Sequence, residues 1–276
     1  MAFYRDPIFG AGVPVAAPIP AWMALGFRFG DKGTHTSRTI MVEELNGLLR
    51  ACPPDAKRAD YVRAATEENC LGKQTVATRV LTLQRLSELY GLDEGVPMFR
   101  LLRVFWAADD AARPVLALLT ALARDPLLRA TAPVVMEMRP GEEIARQRLT
   151  DALRAAVEGR LNDDSLDKVV RNAASSWTQS GHLEGRSRKK RARLQSTPGA
   201  TAFAMLLGYL MGVRGGALFD TLFAHVLDRD ANELTFLAMD AKRLGLLDIK
   251  SGGGMLVVSF DALLTEDERR LSHGTH

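Results

Sequence analysis

The sequence predicts a mainly α-helical protein: a helical bundle with helix-turn-helix and winged-helix-like units that carry short β-hairpins. Three observations predict this class. Apolar residues recur at three- and four-residue spacing through much of 36–160, the pattern of amphipathic helices. A basic run, Arg186 to Arg193, follows a helix-like segment at 166–178 and a Ser180-Gly181 turn, which is the order of a helix and a wing. Residues 232–260 repeat the order of a helix followed by a β-rich hairpin.

Composition is that of a folded protein with a local concentration of positive charge. The 276 residues are 47% hydrophobic and 25% charged, with a net charge of only +3. Residues 184–193 combine six cations with Glu184 and therefore carry +5. The two cysteines, Cys52 and Cys70, lack metal-ligand spacing, which predicts reduced thiols and no metal.

The N-terminal third predicts an arm followed by a helix-turn-helix-like unit. Residues 1–33 are rich in Pro, Ala and Gly and predict an extended arm, with a short strand at 27–30. Residues 34–92 predict three helices that are separated by Pro53-Pro54 and by a turn around Gly72.

The third of these helices, from Thr75 to Tyr90, is a candidate recognition helix. Its predicted inner face carries Val76, Val80, Leu83, Leu86 and Tyr90. Arg and Gln can contact base edges, and Thr can contact phosphate. The alternative is an ordinary solvated helix face. The candidate nucleic-acid contacts here are Lys73, Gln74, Thr75, Thr78, Arg79 and Arg85.

Residues 93–160 predict a bundle whose function is to form core. Strongly apolar helical patterns fill 96–137. A further helix is predicted from Pro140 to Arg160, because proline is favoured at the first helical position and Glu142 and Glu143 suit a first turn.

Residues 161–276 predict a winged-helix-like part. A helix beginning at Asp164-Ser165 is followed by the basic hairpin, and a buried helix is expected over 201–213. A cationic hairpin beside an exposed helix favours polyanion binding, whereas the alternatives are a solvated loop or a localisation signal. Six phosphate contacts would give a log–log salt slope of about −5. The candidate contacts are Arg171, Arg186, Arg188, Lys189, Lys190, Arg191 and Arg193.

Catalytic and membrane classes are disfavoured. Gly72-Lys73 lacks the rest of a P-loop, and His225 near Asp228 on a helix is typical of a structural histidine. The uncharged stretch at 8–27 is interrupted by prolines and glycines. We therefore expect no enzyme activity, no metal, no cofactor, no membrane partner and a cytoplasmic location.

Two stretches carry a family resemblance. They are Glu68-Asn-Cys-Leu-Gly-Lys-Gln-Thr-Val-Ala-Thr-Arg-Val-Leu-Thr-Leu-Gln-Arg-Leu86 and the helical run from Met98 to Met136. With Trp177 and Ser180-Gly-His-Leu183, they resemble BrxA, the small A-component family of BREX phage-exclusion systems, which is described as NusB-like. The resemblance covers about residues 27–230. It implies a DNA-binding accessory protein of an anti-phage locus, without catalytic residues. Positions in the matching motif are Asn69, Thr75, Thr78, Arg79 and Arg85.

The expected function is therefore non-enzymatic binding of double-stranded DNA in a defence system, with other defence proteins or a second copy as further partners. Two alternatives stay open: an RNA-binding, antitermination-like factor, and a protein-interaction scaffold. The absence of exposed aromatic platforms in the sequence pattern counts against the first. A hydrolase would need metal-dependent turnover, which we do not expect.

Overall fold

A computed structural model describes residues 6–8, 19–252 and 255–273. Within these ranges the chain is mainly α-helical with two two-stranded antiparallel hairpins, which confirms the predicted fold class. Short 3₁₀ turns lie at Thr34–Thr36, Asp110–Ala112 and Gly215–Asp220. The strands are β1 (Leu183–Glu184), β2 (Lys190–Arg191), β3 (Asp248–Gly252) and β4 (Met255–Ser259). The helices are α1 (Ile19–Leu25), α2 (Val42–Ala51), α3 (Arg58–Thr66), α4 (Val76–Tyr90), α5 (Pro97–Ala108), α6 (Arg113–Arg124), α7 (Pro126–Ala130), α8 (Ala132–Met136), α9 (Arg146–Val157), α10 (Asp163–Gln179), α11 (Pro198–Leu210), α12 (Leu222–His225), α13 (Ala231–Arg243) and α14 (Glu266–His273).

The core surrounds two helices that are apolar on nearly all sides. Residues 115–124 of α6 and 199–210 of α11 are buried, and the two helices contact each other. Helix α11 also packs on α5, α12, α13 and α14. A helix that is hydrophobic all round must be buried, which confirms the expectation of a buried helix here. None of the helices in the described ranges combines the length and apolarity needed to cross a bilayer.

The N-terminal region differs from the predicted arm. Residues 19–25 form α1, which buries Trp22 and Leu25 and contacts α5 and α14. Residues 27–29 have no strand partner; Phe27 is buried among core side chains instead. The arm predicted over 1–5 and 9–18 lies outside the described residues.

The first turns of α4 do not bury the inner face that was predicted for them. Val76 and Val80 are 62% and 50% exposed, whereas Leu83, Leu86 and Tyr90 are buried as expected. Arg79, placed on the predicted outer face, folds back beneath the helix start and donates hydrogen bonds to the carbonyls of Lys73 and Thr66. The connection from α3 to α4 spans 67–75, which is longer than the three- to four-residue turn of a helix-turn-helix.

Residues 126–191 pack helices α7 to α10 with the β1–β2 hairpin. The predicted helix start at Pro140 is wrong, because 141–144 run beside β2 as an extended segment before α9 begins at Arg146. The amides of Gly141 and Ile144 donate to the carbonyls of Arg191 and Lys189 at 2.7 and 2.9 Å. On its other side β2 pairs antiparallel with β1. The order is thus helices α7 and α8, an extended segment, α9, α10, and a hairpin. Helix α9 packs on α10 across the boundary predicted between 160 and 161.

Candidate nucleic-acid interface

The wing comprises β1, the turn 185–189, β2 and the two residues that follow it, to Arg193, and its root is anchored in the protein interior. Arg191 is only 3% exposed. Its guanidinium pairs with the Asp228 carboxylate and donates to the carbonyls of Val135 and His182 at 3.1 and 3.2 Å. Arg191 was predicted to contact nucleic acid, but its hydrogen-bond donors face the protein interior and are engaged there.

A buried histidine completes this root. His182 Nε2 donates to the carbonyl of Val226 at 2.7 Å, and Nδ1 lies 2.9 Å from the Ser180 hydroxyl. Burial lowers the pKa of His182 to about 4, so the ring is neutral at neutral pH. Ser180, His182, Arg191 and Asp228 together form what we call the wing root.

Four wing cations point into solvent. Within the described residues none of them forms an ion pair or a side-chain hydrogen bond. The turn between them requires Gly185, which has φ +96° and whose added Cβ would lie 2.2 Å from the Arg188 carbonyl oxygen. The exposed wing cations are Arg186, Arg188, Lys190 and Arg193.

Between α10 and the wing lies a cleft of about 670 Å³, which we call the wing cleft. Its lining brings together three of the predicted contacts, Arg171, Arg186 and Lys189. Arg146 also lines it but was missed by sequence reasoning, because the wrong helix start placed Arg146 in mid-helix. Helix α9 begins there without a side-chain cap and without an acidic residue in its first turn, so the helix dipole adds positive potential.

Asp167 of α10 joins two cations of the cleft. One carboxylate oxygen contacts Arg146 Nη2, and the other lies 3.4 Å from Arg171 Nε. All three side chains are about half exposed, so these pairs contribute little to stability. Their effect is geometric, because they hold two guanidinium groups beside each other.

Lys189 lies at the base of the cleft rather than on the wing surface. Its Nζ donates to the Thr178 hydroxyl at 2.8 Å, and burial lowers its pKa. A half-buried ammonium gains more from an anionic partner than a fully solvated one does.

The candidates on α4 do not line the wing cleft. Lys73 pairs with Glu44 at 2.9 Å, Arg85 pairs with Glu88 at 2.7 Å, and Arg79 is bound to backbone carbonyls as described. Thr75 caps the helix by accepting from the Thr78 amide, while Gln74 is exposed. Most of the polar groups predicted to read DNA here stabilise α4 itself.

One flank of α10 is covered by residues 34–42 through a buried hydrogen-bonded trio. His35 lies 2.8 Å from both Asp125 and Ser176, an arrangement that resembles a serine-protease triad. All three side chains are buried, and the Ser176 hydroxyl also contacts the Ile40 amide and the Asn172 carbonyl. A nucleophile must meet a substrate, so this enclosed trio acts to fasten 34–40 onto α10.

Within the described residues no cluster of His, Cys, Asp and Glu could hold a metal ion. No protein-family model matches the sequence, and no curated protein matches it.

Proposed function

We propose that the protein binds double-stranded DNA, without catalysis, through the exposed wing cations and the open flank of α10. The observation that carries the proposal is the contrast between the root and the surface of the wing. A buried ion pair and a buried histidine fix the hairpin, while four unpaired cations project from it. Fixing the hairpin in advance reduces the entropic cost of ordering the wing on a phosphate backbone.

The biological setting is also a proposal. The resemblance of residues 27–230 to the A-component of BREX systems favours an accessory role in phage defence. An RNA-binding, antitermination-like role is the alternative, and the wing gives less support to it. Sequence-specific RNA recognition depends on stacking of unpaired bases on aromatic side chains, and the exposed wing residues are cationic rather than aromatic.

The test is fluorescence anisotropy with a labelled duplex and, in parallel, a single-stranded RNA, across a salt series. The variant is Arg186→Ala/Arg188→Ala/Lys190→Ala, which leaves Arg191 in place so that the wing root is intact. The matched control removes three exposed, unpaired cations elsewhere, Lys32→Ala/Arg50→Ala/Lys250→Ala. We expect the first variant to lose at least tenfold in duplex affinity and the control to lose much less. Equal losses of affinity in the two variants would mean that DNA is attracted to the positive charge of the whole protein rather than to the wing. Tighter binding of RNA than of duplex DNA would favour the antitermination-like role.

A second candidate role, association with another copy of the chain, is favoured by the C-terminal unit. Phe236 of α13 and Met255 of β4 are each 70% exposed, with Met239 and Val257 also exposed on the same two elements. Helix α13 and the β3–β4 hairpin thus repeat the helix-and-wing order with apolar residues in place of cations. Multi-angle light scattering across a concentration series tests self-association. A dimer in the wild type that is lost in the Phe236→Ser/Met255→Ser variant would support it, and a monomer at all concentrations would contradict it.

A further inference from the structure

The wing cleft has an apolar floor that an intact duplex cannot fill. Ile144, Leu149, Val170 and Ala174 form this floor between α9, α10 and the wing. In a duplex the flat apolar faces of the bases are stacked on one another, and only base edges and the backbone reach the protein. A cleft of about 670 Å³ lies within the size range of sites for small ligands. Its floor suits a flat ring that has left the stack.

The charged groups around this floor suit a ligand that carries phosphate. Arg146, Arg171, Arg186 and Lys189 approach from three elements, against the carboxylates of Glu143 and Asp167, which leaves a net charge of +2. Asp167 contacts Arg146 through Nη2 and Arg171 through Nε. Because a guanidinium has five N–H donors, each arginine retains donors for a phosphate oxygen.

Polar groups of the cleft also suit the edge of a base. The exposed Glu143 carboxylate accepts hydrogen bonds only, which matches the exocyclic amino group of adenine or cytosine. The half-buried Ser175 hydroxyl can donate or accept.

We propose that the wing cleft binds a single nucleotide unit, with the unstacked base on the apolar floor and its phosphate at Arg146 and Arg171. This inference rests on the proposed DNA-binding function, and it adds a substrate class: DNA with an unpaired nucleotide at an end or overhang. A free nucleotide presents the same chemistry, so the test separates the two sources.

The experiment compares a blunt labelled duplex with the same duplex bearing a short adenine overhang. Burial of one base against the aliphatic floor removes apolar surface from water, so we expect the overhang to bind about tenfold more tightly, which corresponds to about 1.4 kcal/mol. Ser175→Phe fills the cleft from α10 without changing charge. It should abolish the overhang preference, so that the ratio of overhang affinity to blunt-duplex affinity falls to about one. Ser37→Phe, at an exposed position outside the cleft, is the matched control.

The outcomes separate the two proposals. Equal binding of blunt and overhang DNA, or an overhang preference that survives Ser175→Phe, would overturn the inference while duplex binding stands. Failure of both DNAs to bind would overturn the proposed function itself. Competition with dAMP identifies the source of the ligand. If dAMP displaces the overhang DNA, the site also takes free nucleotides. If dAMP does not change the overhang preference, and Ser175→Phe still abolishes it, the site takes a nucleotide of polymer DNA. A thermal melt shows whether the Ser175→Phe variant is folded. The second variant, Arg171→Gln, leaves the apolar floor open and should weaken binding of the overhang DNA more than binding of the blunt duplex.

Discussion

Single residues in the basic run have opposite roles although they are chemically alike. In the hairpin, Lys190 points out and Arg191 points in, because successive side chains of a strand face opposite sides. The sequence shows six cations in eight positions but not which side of the hairpin faces the core. The alternation of side chains along a strand could have distinguished the buried Arg191 from its exposed neighbours. That alternation becomes readable only when the pairing register of β2 with β1 is known.

Arg191→Ala should therefore destabilise the protein rather than only weaken binding. Removing one partner of a buried ion pair leaves the Asp228 carboxylate uncompensated, which costs about 3–5 kcal/mol. Arg188→Ala, at an exposed position, should change the free energy of unfolding by less than about 0.5 kcal/mol. Urea unfolding of both variants checks this, and similar stabilities would contradict the role of Arg191 in the wing root.

His182 makes stability depend on pH. Its folded-state pKa of about 4 lies below the usual value of about 6.5, so the unfolded chain binds the proton more readily. The stabilisation is complete above pH 6.5 and is lost as the pH falls toward 4, with a loss of about 2 kcal/mol expected by pH 5. His182→Gln should remove this part of the pH dependence, whereas the exposed His225→Gln should leave it unchanged. Chemical denaturation at pH 7.5 and pH 5 tests the difference.

At the scale of elements, local signals predicted the helices whose ends are marked within the chain. The apolar spacing over 75–90 predicted α4, and the apolar composition of 201–213 predicted the buried helix α11. The start of α9 could not be predicted in this way. Residues 141–144 are extended rather than helical because β2, nearly fifty positions later, supplies their hydrogen-bond partners. A nonlocal partner thus overrode a favourable local helix start, and it also hid Arg146 from the candidate site.

We expect the candidate recognition helix α4 to contribute to stability rather than to DNA binding. Arg79→Ala removes two hydrogen bonds that close the connection between α3 and α4, so it should cost about 1–3 kcal/mol of stability. Duplex affinity of the folded variant should stay within about twofold, since Arg79 does not line the wing cleft. Anisotropy below the melting temperature measures this. A tenfold loss of duplex affinity in the folded variant would indicate that α4 contacts DNA.

For the whole molecule, the number of phosphate contacts matters more than the net charge. A charge of +3 on 276 residues gives weak overall attraction, so binding must come from the clustered cations. The structure removes Arg191 from that cluster and places Lys189 at the base of the cleft. Four exposed wing cations remain, and they predict a log–log salt slope of about −4 instead of the −5 expected from six contacts.

The salt slope therefore tests the site as one unit. With Arg186, Arg188 and Lys190 changed to Ala, only Arg193 remains among the exposed wing cations, and the slope should fall to about −1. A wild-type slope steeper than −4 would require further phosphate contacts, and Arg146 and Arg171 are the cations of the cleft that could make them. In that case Arg171→Gln should make the slope shallower by about one. A wild-type slope near zero would mean that phosphates are not the ligand, because each neutralised phosphate releases condensed counterions whatever the sequence of the DNA.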